Sequence, residues 1–118
     1  MSEKKIDPLK QERAEAWVGD AVLGLYVREM ILREDGELAG EKFSRFTSND
    51  LLSNIGNPTS VEAEIGRVYE DKGLQAGFNH IEAKILPIML KREKSFLNAE
   101  RQRGAAKAKT SKRTRWTR

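Results

Sequence analysis

The chain reads as an all-α protein. Three observations predict this fold class. Apolar residues recur at helical spacing from Ala14 to Ile31 and again from Val61 to Met89, short segments rich in cap and turn residues separate them, and no segment shows strand alternation. At 118 residues one domain with a modest core is expected.

The elements follow in order. Asp7-Pro8 has the form of an N-cap followed by proline at the first helical position, and opens a helix that runs to about Leu32. Asp35-Gly36 is a turn signal. A second helix is predicted over Glu41–Thr47, with Phe43 and Phe46 facing inward. The apolar phase then shifts to Leu51, Leu52 and Ile55, which predicts a break near Ser48-Asn49 with Asn49 as the new cap. Gly56 suits a helix stop and Asn57-Pro58 a boundary. A helix over Pro58–Asp71 presents Val61, Ile65, Val68 and Tyr69 as its apolar side, and Lys72-Gly73 ends it. The last helix begins between Leu74 and Phe78 and continues to about Lys94, with Phe78, Ile81, Ile85 and Met89 inward and a kink at Pro87. Residues 1–97 form the helical domain, and 98–118 a basic tail with no apolar stripe to dock it.

Composition narrows the function. There is no cysteine, so a thiolate metal site or nucleophile is excluded, and His80 is the only histidine. Any metal is then oxygen-bound, which favours a hard cation such as Mg²⁺ or Mn²⁺. No apolar run is long enough to span a bilayer and no signal-peptide pattern is present, so an intracellular compartment is expected, the cytoplasm first and an organelle second. The net charge of +4 is unevenly spread: residues 101–118 carry eight Lys/Arg and no acid, which leaves 14 basic against 18 acidic residues in 1–100. Such a run suits the phosphates of RNA, through Lys107, Lys109, Lys112, Arg113 and Arg115, with Trp116 as a base-stacking group; the plainer reading is a solubilising segment.

The most informative residue is Asp20. One helical stripe holds Ala14, Trp17, Val18, Ala21, Val22 and Leu25, and a second holds Ala16, Leu23, Val27, Met30 and Ile31, with Asp20 projecting into the second. A helix apolar nearly all round is expected to be buried, and a carboxylate inside it needs a metal, a cation or hydrogen-bond donors. Arg28, Arg45 or a backbone cap would serve as a structural partner.

The stretch Ala16-Trp17-Val18-Gly19-Asp20-Ala21-Val22-Leu23-Gly24-Leu25-Tyr26-Val27-Arg28 resembles the signature helix of the ribonuclease III family. Ser60-Val61-Glu62-Ala63-Glu64-Ile65-Gly66-Arg67-Val68-Tyr69 resembles its second acidic motif, and Ser48-Asn49 before Leu51-Leu52 its middle helix. The resemblance covers about residues 8–95 and is nearest to the Mini-ribonuclease III subgroup, a catalytic domain without a double-stranded-RNA-binding domain. Fuller members carry two further acids, at the positions that here hold Ala16 and Thr59. The Mini subgroup keeps one aspartate and one glutamate, which correspond to Asp20 and Glu62. The interval between them is shorter than in the family, so a hairpin or an RNA-contacting loop is expected to be missing.

The resemblance implies a ribonuclease III endonuclease-domain-like helical bundle that acts as a homodimer, with Trp17 and Gly19 at a two-fold interface. It implies Mg²⁺-dependent hydrolysis of phosphodiesters in double-stranded or structured RNA, such as a ribosomal RNA precursor, with Asp20 and Glu62 as catalytic metal ligands. Glu62 has a structural alternative, since Thr59-x-x-Glu62 is a capping box if Thr59 is the cap, whereas Asn57 as cap leaves Glu62 free to face the first helix. Gly19 and Gly66, inside helices, suit a close helix–helix approach beside the acids. Lys42, Arg45, Ser48 and Asn49 are candidates for contacting the RNA backbone, with a solvated helix face as the alternative. Two other functions fit the same residues: a non-catalytic RNA-binding protein of this fold, in a ribosome or a processing scaffold, and a helical protein–protein module.

Overall fold

The computed structural model describes residues 7–108, and every regular element among them is helical. In chain order these are α1 (Pro8–Asp35), α2 (Gly40–Thr47), α3 (Asn49–Leu52), α4 (Pro58–Lys72), α5 (Leu74–Lys84) and α6 (Leu86–Ala108). No helix among the described residues is long and apolar enough to cross a membrane.

Local chemistry sets most of the boundaries. The Asp7 carboxylate accepts the Leu9 N–H at 3.1 Å and Pro8 takes the first turn, where its missing N–H is no loss. Gly36 closes α1 in the left-handed conformation at φ 78°, and its N–H bonds the Leu32 carbonyl. α4 begins in the same way, with Asn57 accepting from Ser60 N–H at 3.1 Å ahead of Pro58. The Thr59 capping box is therefore absent, and Glu62 is left free to face α1. Gly73 ends α4 at φ 96°, a conformation that disfavours side chains.

Three boundaries differ from expectation. Ser48, not Asn49, caps α3: its backbone is extended (ψ 153°) and its hydroxyl accepts the Leu51 N–H at 3.0 Å. Asn49 is the first helical residue. Pro87 divides the predicted last helix in two instead of kinking it. It has no N–H for the Ala83 carbonyl and its ring crowds that carbonyl, so α5 stops and α6 starts around Ile85. α6 then continues without interruption past residue 97 to Ala108.

The core sits where α1 meets α4, the most extensive contact, and α5, α2 and α6 close around it. Leu23, Val27, Leu52, Ile65, Ile81, Ile85 and Met89 are completely buried, and Phe46 nearly so. Each such side chain contributes about 1.5–3 kcal/mol by leaving water. Phe43 and Phe78 pack half-buried against this cluster, with the Phe78 ring edge-on to Tyr26 at 5.3 Å. The molecule is elongated, 71 × 25 × 21 Å, because α6 runs beyond the body.

Candidate active site

The site grows from the contact of α1 with α4. Gly19 and Gly66 face each other there. A Cβ on Gly19 would overlap the Glu62 carbonyl oxygen and stand 2.9 Å from the Gly66 nitrogen. A Cβ on Gly66 would overlap the Glu15 carbonyl oxygen and stand 3.1 Å from the Gly19 nitrogen. The two helices thus touch backbone to backbone, which only glycine permits. That approach carries the next residue of α1, Asp20, against Glu62 of α4.

The two carboxyl groups adjoin. Burial, and then the hydrogen bond and negative charge of Asp20, push the Glu62 carboxyl up to about 7. Glu62 is half-buried and Asp20 exposed. The exposure of Asp20 corrects the sequence expectation. The stripe Ala16, Leu23, Val27, Met30 and Ile31 is buried as predicted, but Asp20 lies outside it. The other stripe is covered only along one edge among the described residues: Val22 is buried and Val18 half-buried, but Trp17 is 81% exposed, and Ala14, Ala21 and Leu25 are exposed too. Asp20 stands at the border between this open apolar face and Glu62. Neither Arg28 nor Arg45 reaches it. Arg28 lies 4.2 Å over the Phe43 ring, and Arg45 is bound elsewhere.

The flanking acids are already engaged. Glu12 accepts from the Ser60 hydroxyl at 2.7 Å. Glu15 takes Gln11 and Arg67, each at 2.8 Å, and both hydrogen bonds, that of Gln11 first, hold its carboxyl below the ordinary range. Each of these bridges except Gln11–Glu15 ties α1 to α4 beside the glycine contact. Ala16 is buried and carries no carboxylate, and Thr59 is half-buried one turn before Glu62. Among the described residues no group of three or more acidic or histidine side chains is assembled. Two carboxylates that form no salt bridge with any cation among the described residues nevertheless match a hard divalent ion in donor type, and such an ion keeps several of its own waters.

Beside Asp20 the open face forms a shallow depression of about 600 Å³, lined by Trp17, Val18, Ala21, Leu25, Tyr69 and Leu74. Tyr69, expected on the inner side of α4, is exposed here. Its spacing of seven residues from Glu62, two helical turns, is the signal in the sequence that places both on one face. Gly19 does not reach this surface. It is buried within the chain, so its expected place at a subunit interface gives way to the α1–α4 contact.

The expected RNA contacts are not gathered at the acid pair. Lys42 bonds both oxygens of Asp35 at 3.2 Å. Arg45 makes a two-pronged pair with Glu93 at 3.0 and 2.9 Å, and the Ser48 hydroxyl is spent on its cap. Asn49 is exposed at the start of α3. Lys107 falls in the last turn of α6, and Lys109, Lys112, Arg113 and Arg115 lie outside the described residues.

Comparison of the chain with protein-family models, with curated proteins and with solved structures found no match.

Proposed function

We propose that the chain is a ribonuclease-III-type endoribonuclease that hydrolyses phosphodiesters in double-stranded or structured RNA, such as a ribosomal RNA precursor. The observation that carries this reading is the meeting of Asp20 and Glu62 from two helices locked by glycine. These are the two acids that the ribonuclease III resemblance assigns to catalysis. Asp20 and Glu62 would hold Mg²⁺, with Mn²⁺ as the alternative. A divalent ion there supplies a water of lowered pKa and positive charge for the scissile phosphate. The chain's own part is to fix two carboxylates on a rigid helix pair.

The homodimer belongs to the same proposal. An apolar face with Trp17, Leu25, Tyr69 and Leu74 exposed beside Asp20 suits a second copy, which would bring two acidic sites to one valley.

A second reading, an RNA-binding protein of this fold without catalysis, is favoured by one observation: Ala16 and Thr59 add no acid to the pair. Cleavage of a labelled RNA duplex in Mg²⁺ and in Ca²⁺ separates the two. The enzyme cuts in Mg²⁺, and Asp20→Asn or Glu62→Gln lowers the rate by about a hundredfold or more, at or above the upper end of the roughly 10–100-fold lost with an outer partner of a metal ligand. Binding without cleavage establishes the second reading. Cleavage that survives both substitutions overturns the site.

A further inference from the structure

We propose that Arg28 is an anchor for the RNA backbone, binding a phosphate next to the one acted on at Asp20 and Glu62. The inference rests on the RNA reading above. It adds the residue that holds the strand beside the two acids.

Asp20, Gly24 and Arg28 lie four residues apart along α1, which places them in one row on its surface. Side chains in a helix lean toward its N-terminus, so Arg28 extends back along this row. Its Nη1 takes the space of the missing Gly24 side chain: a Cβ there would stand 2.9 Å from it. The guanidinium thus lies beside Gly24, one helical turn or about 6 Å of rise from Asp20. The Phe43 ring of α2 holds it there, 4.2 Å away. Glycine inside a helix is unfavourable against alanine, and what Gly24 provides here is room for the arginine.

Arg28 is held in place and yet has no ionic partner. Among the described residues it is the one arginine that stacks on a ring without also forming an ion pair. Arg45 stacks on Phe96 but gives its N–H groups to Glu93, and Arg67, Arg92 and Arg103 pair with Glu15, Asp50 and Glu100. Stacking uses only the flat face of a guanidinium and leaves its N–H donors pointing outward in the plane. Arg28 is exposed, so those donors open to solvent. Such a fork matches two oxygens of a phosphate.

Position identifies the ligand. Residues 1–100 carry 14 Lys/Arg against 18 Asp/Glu, so the body is net negative and repels a polyanion. A strand that reaches Asp20 and Glu62 gains from a fixed cation near them. Phosphates recur every few ångströms along a strand, so a cation one helical turn from the acids meets an adjoining phosphate. Because the ring already orders the side chain, less freedom is lost when it binds. A carboxylate of a second copy is the weaker fit. The open face beside Arg28 has Asp20 as the one acid among its lining residues, and Asp20 adjoins Glu62.

The test uses the full chain and a labelled RNA duplex in Ca²⁺, with affinity measured by anisotropy from about 50 to 200 mM KCl, the range over which counterion release is read. Arg28→Ala should lower the affinity at about 100 mM KCl by about tenfold and make the log–log salt slope shallower by about one, the loss of one phosphate contact. Arg28→Lys should keep the slope and lose about threefold in affinity, since an ammonium restores the charge but not the fork. Gly24→Ala keeps every charge and improves the helix, but its methyl meets Nη1. Its affinity should fall by about threefold with Tm unchanged or raised, a pattern that a merely structural arginine does not give. Lys84→Gln, on α5, removes one charge elsewhere and should keep the affinity within about twofold. Wild-type affinity and slope in Arg28→Ala overturn the anchor and leave the RNA reading standing, as does an equal loss in Lys84→Gln. Unchanged duplex binding with a dimer that Arg28→Ala converts to monomer assigns the residue to a subunit contact and overturns the anchor. A wild type that binds no duplex overturns both.

Discussion

Gly19 of α1 and Gly66 of α4 oppose each other so closely that a methyl group on either would overlap the other helix's backbone. The acid pair depends on this contact, because Asp20 follows Gly19 and Glu62 lies one turn before Gly66.

Gly19→Ala and Gly66→Ala should therefore each destabilise the chain by about 3 kcal/mol, the upper end for overpacking, since backbone cannot rotate away as a side chain can. That corresponds to a fall in Tm on the order of 10 °C. Gly104→Ala is the control, because nothing lies within 4 Å of its added Cβ. It should be neutral or stabilising by up to about 1 kcal/mol, as alanine is in a helix. Thermal melts of the three variants check this. Equal, small effects at all three positions would refute the backbone contact.

Glu62 gives a pH dependence of definite sign. Its carboxyl is pushed up to about 7 in the folded chain from an ordinary 4.5. Between these values the native state holds a proton that the unfolded state has released, so stability falls as pH rises through this window and is level above it. Glu62→Gln removes the titration. The variant should be more stable than wild type at pH 8 by about 1 kcal/mol, allowing for solvent screening of a half-exposed group, and the gap should close on acidification towards pH 4.5. Added Mg²⁺ should raise the Tm of the wild type at pH 8 and leave that of Glu62→Gln nearly unmoved. A pH-independent gap between the two proteins contradicts the prediction.

What the sequence disclosed was mostly local. Asp7-Pro8, Asn57-Pro58, Gly36 and Gly73 announce helix ends because a cap or a left-handed turn depends on a few neighbouring residues. The pairing of Asp20 with Glu62 was legible through the ribonuclease III resemblance, which assigns both acids to one site, and through Asn57 as cap, the alternative that leaves Glu62 free to face α1. The exposure of Asp20 was not. A helix apolar on two faces does not say which face its own chain covers, and here α4, α2 and α5 bury the first and only the Val18–Val22 edge of the second. Arg45 misled for a related reason. Its partner Glu93 is 48 residues away, and spacing along α2 cannot show a salt bridge to α6.

Arg45→Ala should cost about 2 kcal/mol, because it strands the mostly buried Glu93 carboxylate and uncovers Phe96. Arg45→Lys should recover less than about half of this, since an ammonium replaces neither the two-pronged bond nor the flat stacking surface. Urea unfolding measures both. Full recovery by lysine would show that only the charge matters there.

Trp17 separates the subunit contact from the fold. At 81% exposure it contributes little to the folded single chain, so Trp17→Glu should change the monomer's stability by less than about 0.5 kcal/mol, as surface changes do. The same substitution puts a charge in the apolar face that also holds Leu25, Tyr69 and Leu74. If that face joins two copies, wild type sediments as a dimer at micromolar concentration and Trp17→Glu as a monomer with unchanged helical content. An identical mass for the two proteins removes this face from the assembly. Loss of helical content in Trp17→Glu would mean instead that Trp17 serves the fold, contrary to its position on the open side of α1.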